Sequence, residues 1–201
     1  MSNSFPELGF FIIDLALSFL VLVFTLRILL STCSANAHNP VTQSIIKITS
    51  PIRALFFFVP NFGKFEVSSF LVIFICHFIN SYIQISILGS EIIIEKLMVF
   101  SLKSSIFSLL NALTIIFIIL AISSWFIQSQ QSNRNPALDI IYQITNPILS
   151  LIKRIIPTSV GIIDFSVIIA LVLIHFVQNF LNIIFIKFAN IICSSSCFTN
   201  N

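Results

Sequence analysis

Two apolar segments of this chain each carry a histidine followed by amides and hydroxyls: His77, Asn80, Ser81 and Gln84 in one, His175, Gln178, Asn179 and Asn182 in the other. Intervals of three, four and seven residues put each set on one face of a helix. Imidazoles so placed could ligate a haem, relay a proton, or hydrogen-bond to a neighbouring helix. Haem ligation needs the two rings to face each other across a wide apolar pocket, and a metal needs more than two ligands. Polar groups near a bilayer midplane ordinarily face a partner helix or a cavity. The expected role of these stripes is therefore a hydrogen-bonded seam holding the two halves together. A proton or small-solute path is the second reading, and His77 and His175 as haem ligands the third. No cofactor or metal is expected.

The other reactive groups give no catalytic pattern. Asp14 lies within an apolar run and is expected to meet a polar group such as Asn111 on another segment. Arg27 is about 20 Å further along at 1.5 Å per residue, too far to pair with it on one helix, and is expected to snorkel to the surface. Glu66 and Asp164 each precede an apolar run, where a carboxylate suits the positive end of a helix. Cys193 and Cys197 could form a disulfide or stay free, while Cys33 and Cys76 stand apart from them, and the four do not make a zinc pattern. With 4 Gly in all, there is no phosphate-cradling loop, nor a Ser/His/Asp or HExxH arrangement. An enzyme is not expected.

Composition dictates what must position these residues. The chain is 57% hydrophobic and 8% charged with 23 Phe, and its mean hydropathy is +1.08, values far from those of a water-soluble domain. Four stretches, Leu8 to Leu30, Val67 to Leu88, Ser105 to Ile127 and Phe165 to Ile186, reach the roughly 20 helical residues needed to cross a hydrocarbon core. Each is expected to be a helix, because backbone in lipid must satisfy its own hydrogen bonds. Ala35-Asn36-Ala37 resembles a processing site, but Met1 to Phe5 has no Lys or Arg and the run is long for a signal core, so the first span is expected to be retained. Thr32 is likewise a poor residue before a lipid-modified Cys33.

Between spans one and two, and again between three and four, lies a repeated cassette. Asn39-Pro40-Val41-Thr42-Gln43-Ser44-Ile45-Ile46-Lys47-Ile48-Thr49-Ser50-Pro51-Ile52 and the segment from Asn135-Pro136 through Thr145-Asn146-Pro147-Ile148 agree at seven of fourteen positions. In the second copy Leu138, Ile141, Ile144, Ile148, Leu151 and Ile155 recur every three or four residues with polar groups between them, an amphipathic helix pattern. Asn39 and Asn135 suit the cap position and Pro40 and Pro136 the first helical position. Pro51 and Pro147 predict a bend after Thr49 and Thr145 that divides each cassette into two short helices, closed by Pro60 and Pro157. Such segments are expected to lie in the membrane surface.

The fold class is thus an all-α membrane protein of four transmembrane helices and two kinked interfacial helices, built from two repeats, 1–96 and 97–201 with a C-terminal tail. The cassette loops carry Lys47, Arg53, Lys64, Arg134, Lys153 and Arg154, whereas the N-terminus, middle loop and C-terminus together carry Lys96, Lys103 and Lys187. The positive-inside rule places the cassettes in the cytoplasm and both termini outside a bacterial cytoplasmic membrane. An even number of spans per repeat makes the repeats parallel, related by an axis along the membrane normal. The expected partners are the lipid bilayer, a membrane or cytoplasmic protein, and a second copy of the chain. The net charge of +3 is met by anionic headgroups and calls for no nucleic acid.

The doubled Asn-Pro, the Thr-x-Pro-Ile about ten residues on, and the closing Pro with a Gly and an acidic residue before the next span resemble the YggT family of small bacterial integral membrane proteins, which includes the YlmG proteins and plastid relatives. The resemblance covers nearly the whole chain. Its first copy departs from the pattern, with Phe56-Phe57-Phe58-Val59-Pro60 where the second has Lys153-Arg154 before Ile155-Ile156-Pro157. It implies a multi-pass membrane protein without an established enzymatic activity, its relatives being linked variously to cell division, osmotic tolerance and plastid cytochrome assembly. The His pair is no part of that motif.

Overall fold

In the computed structural model residues 4–89, 93–127, 135–155, 159–160 and 163–198 are described, with side chains for 8–89, 93–123, 135–155 and 165–191. Arg134, Pro157 and the side chains of Asp164, Cys193 and Cys197 lie outside the described residues. The chain runs α1 (Ser4–Thr32), α2 (Pro40–Ala54), α3 (Val67–Ile87), α4 (Ile94–Ile127), α5 (Pro136–Ile155), β1 (Ser159–Val160), β2 (Ile163–Asp164) and α6 (Ser166–Phe198). Within α1, α3, α4 and α6 lie 4 segments long and apolar enough to cross a membrane: Leu8–Thr32, Val67–Ile87, Ile94–Ser123 and Ser166–Ile191. The protein is an all-α membrane protein.

Two helices outrun their expected limits. α4 begins at Ile94 rather than Ser105, and α6 continues to Phe198 rather than Ile186. Hydropathy marks where lipid ends, whereas backbone hydrogen bonding continues into Glu95, Lys96 and Lys103, all good helix formers. Lys103 consequently sits inside a span instead of in the middle loop, and the expected division after residue 96 falls in the first turn of α4. Gly89, at φ +64, follows the end of α3, a left-handed position that glycine adopts without penalty.

Each cassette is one helix rather than two. Pro51 lies inside α2 and Pro147 inside α5. Pro51 lacks the N–H that would bond Lys47 O, and the Ser50 hydroxyl donates to that carbonyl at 3.0 Å instead. Thr49 and Thr145 turn their hydroxyls back onto Ile45 O and Ile141 O, at 2.6 and 2.8 Å. These side chains satisfy carbonyls in the turn a proline would otherwise open. The apolar faces divide between the bundle and the outside. Ile140, Ile144 and Ile152 of α5 are buried, while Leu151 and Ile155 are exposed.

Three apolar clusters hold the bundle. Phe24 and Ile28 of α1 meet Val72, Ile73 and Cys76 of α3. Leu29 and Leu30 meet Ile116 of α4 and Ile140 and Ile144 of α5. Phe117 and Leu120 of α4 meet Ile152 of α5 and Ala170 and Ile174 of α6. α1 packs on α3 and α4, and α4 packs on α3 and α6, so α4 stands between α3 and α6. α2 and α5 lie side by side at one end. Immediately before α3 and α6 the chain makes the same antiparallel turn: Phe62 pairs with Phe65, and Val160 with Ile163.

Candidate functional site

Where α1, α2 and α3 converge lies a charged network that is largely buried, with Arg53 at its rim 40% exposed. Arg27 is 7% exposed. Its Nε donates to Glu66 Oε2 at 2.7 Å, its Nη2 to Glu66 Oε1 at 3.4 Å, and its Nη1 to Thr49 Oγ1 at 2.5 Å and Ile46 O at 3.5 Å. Ser69 Oγ donates to Glu66 Oε2 at 2.8 Å, and Arg53 Nε stands 3.7 Å from the same oxygen. Burial opposes ionisation of the Glu66 carboxyl. The hydrogen bonds from Arg27 and Ser69 and the charges of Arg27 and Arg53 outweigh it, and the pKa of Glu66 lies below its ordinary value. Beside the pair is a cavity of about 160 Å³, lined by Arg27, Ser31, Thr42 and Glu66 among others.

Arg27 therefore does not snorkel to the surface, and Glu66 does more than complement a helix dipole. The signal was present in the sequence: one ion ends a span and the other precedes the next, so a hairpin brings them to the same depth. Thr49 joins them because α2 crosses beneath. The second repeat departs from this plan, with Ser123 at the position matching Arg27. Thr145 is 0% exposed and its hydroxyl donates within its own helix, to Ile141 O and Tyr142 O.

The cassette motif and the residues just before it join α2 to α5. Asn39 Oδ1 caps α2 by accepting from Val41 N at 2.9 Å, while its Nδ2 donates to Pro136 O at 2.8 Å. Asn135 Oδ1 accepts from Ala137 N at 3.0 Å. Asn36 N donates to Gln143 Oε1 at 2.6 Å, and Cys33 Sγ to Ile144 O at 3.5 Å. Burial pushes the Cys33 thiol up, against the opposing pull of Lys64, so it stays a protonated donor. Pro40, Pro51, Pro136 and Pro147 are exposed and act through the backbone.

Within the spans, the hydrogen bonds of the stripes among the described residues run inside each half of the chain rather than between halves. Asn80 Nδ2 donates to Asp14 Oδ1, and Gln84 Nε2 donates to Asn80 Oδ1 at 2.7 Å. In the matching place of the second repeat, Gln178 Nε2 donates to Asn111 Oδ1 at 2.9 Å. Asp14 thus meets Asn80, not Asn111, because α1 packs on α3 along its length. Lys103 Nζ donates to Asn182 Oδ1 at 2.7 Å and lies 5.6 Å from the Phe107 ring centroid.

The structure does not bring the two histidines together. His77 lies beside α1 at a cavity of about 120 Å³ with Leu17, Ser18, Val21, Cys76 and Asn80, its Nε2 buried without a hydrogen-bond partner. His175 is exposed on α6, and Ser81 is buried where its counterpart Asn179 is exposed. Among the described residues α3 packs chiefly against α1 and α4, and α6 chiefly against α4 and α5. Among the described residues the two stripes are thus not brought together.

Comparison with known proteins agrees with this architecture. The CCB3/YggT family model matches the chain twice, over residues 7–87 and 99–185. A Haemophilus influenzae protein described as "Uncharacterized protein" is 28% identical over 80% of this chain and 83% of its own length. "Uncharacterized protein in proC 3'region" of Vibrio alginolyticus is 30% identical over 85% of this chain and 91% of its own. "Uncharacterized protein YggT" of Escherichia coli K12 is 27% identical over 84% and 86%. No solved structure matches. With the two matches taking in both hairpins and both cassettes, the chain belongs to the CCB3/YggT family.

Proposed function

We propose that this protein is a non-enzymatic multi-pass factor of the bacterial cytoplasmic membrane, built from two parallel repeats with both termini outward. Its α2–α5 pair is a cytoplasmic platform that rests on lipid headgroups and receives a protein partner in envelope, division or assembly work. The observation that carries this reading is the joining of α2 and α5 through Asn39–Pro136 and Asn36–Gln143, with Lys47, Lys153 and Arg154 exposed on the pair. Basic groups beside exposed Ile48, Leu151 and Ile155 suit a helix lying at an anionic leaflet. The alternative of a solute path finds less support, because α4 separates the stripes and Asn80, Gln84, Gln178 and Asn182 are hydrogen-bonded within the chain.

A photo-crosslinking residue in place of Tyr142 tests the platform in cells. The expected result is one discrete protein adduct that is lost in a Lys153→Glu, Arg154→Glu variant still inserted at the normal level. Absence of any adduct, together with solute flux in liposomes that His77→Leu and His175→Leu abolish, would overturn the reading in favour of transport.

A further inference from the structure

Two polar side chains remain facing outward at the middle of a membrane span. His175 and Asn179 are exposed near the centre of Ser166–Ile191, one helical turn apart and hence on one face of α6. Neither has a hydrogen-bond partner among the described residues, whereas the other amides of the stripes do. Their counterparts on α3 are covered by neighbours, Ser81 being 7% exposed. Lipid offers an amide no hydrogen bond, so a mid-span asparagine turned outward is an interaction group awaiting another protein surface.

We propose that this surface is the α6 of a second copy, forming a two-fold dimer about the membrane normal. The chemistry of the pair selects this occupant. A two-fold axis along the normal sets each residue opposite itself at the same depth. An amide carries both donor and acceptor, so Asn179 can bond Asn179 of the second copy reciprocally. Neutral imidazole also has one donor and one acceptor, giving His175 the same self-complementarity. Val172 and Ile183 continue the face above and below, exposed at 62% and 55%, and pack apolar surface around the polar centre. A heterologous helix would need its own matching polar groups at both depths, which the two-fold arrangement supplies without further assumption.

The test uses the full chain in liposomes, with the native cysteines replaced by serine. Val172→Cys and Ile183→Cys should each cross-link to themselves on oxidation, while Phe11→Cys on α1 should not. Energy transfer between labelled copies, followed as lipid is added, should show dimerisation weakened about tenfold in Asn179→Leu and largely retained in Asn179→Gln. Because the site is on the outside of the bundle, Asn179→Leu should leave the helix content and melting of the monomer unchanged. Monomers at every protein-to-lipid ratio, or dimers indifferent to Asn179→Leu, would overturn the proposal. So would cross-links from Phe11→Cys in place of those from α6.

Discussion

Arg27 and Glu66 decide much of how the first hairpin closes. A guanidinium held at 7% exposure is tolerable because Glu66, Thr49 and Ile46 O meet its donors. Removing Glu66 leaves the buried guanidinium without its counter-ion, and removing Arg27 leaves Glu66 with only Ser69 and the more distant Arg53, at up to about 3–5 kcal/mol. Arg27→Met should lower the melting temperature of the detergent-solubilised protein far more than Lys47→Met, which changes an exposed charge. The depressed pKa of Glu66 has a pH consequence. Its ionised form is favoured by folding, so its contribution is complete above the ordinary glutamate pKa and is lost as pH falls through the lower folded value. Thermal melts in the acid range should show this loss in the wild type, and Glu66→Gln should remove that part of the pH dependence while lowering stability at neutral pH. An unchanged acid profile in Glu66→Gln would show that other carboxyls carry it. From sequence alone each ion has a sufficient separate explanation, by snorkelling or by helix dipole, and that sufficiency hides the pair. Chain order gives no account of which helices touch, and the same gap lets Asp14 be matched with Asn111 when Asn80 is its neighbour.

At the scale of elements, the cassette helices were largely legible. Asn-Pro marked their starts, where Asn39 and Asn135 cap as their chemistry predicts, and Thr-x-Pro marked their centres without dividing them. What could not be read was continuity through Pro51 and Pro147, since a proline rule assumes that the freed carbonyl goes unmet, and Ser50 meets it in α2. The apolar stripe was legible too, but its division between bundle and membrane depends on how close α5 lies to α4 and α6. The two cap asparagines separate local from joining roles. Asn135→Ala should lose a cap alone, about 1 kcal/mol. Asn39→Ala should lose the cap and the bond to Pro136 O together, about 2 kcal/mol. Chemical denaturation in mild detergent checks the difference, and equal losses would mean that the Asn39–Pro136 bond adds nothing to stability.

For the whole molecule, the apolar composition, the four spans and the doubled cassette were enough to give the class and the order of elements. The turn pairing Phe62 with Phe65 and Val160 with Ile163, and the bridges Asp14–Asn80 and Asn111–Gln178, recur at matching places in the two halves. The halves are nevertheless not interchangeable. The first holds its charges inside, at Arg27 and Glu66, and the second displays Lys153 and Arg154 outside. α3 packs on α1 and α4, and α6 on α4 and the shorter α5, and His175 and Asn179 are exposed where His77 is half-buried and Ser81 is buried. Sequence correspondence fixes which residues match, but different neighbours give matching residues different exposure.

The central claim is a twice-threaded hairpin with its two joined surface helices in the cytoplasm. Paired reporters, one active only in the cytoplasm and one only outside it, fused at the N-terminus, at Gln43 and after Asn201, test it most directly. The Gln43 fusion should report cytoplasm and both terminal fusions should report the exterior. Termini on opposite sides, or Gln43 outside, would contradict it.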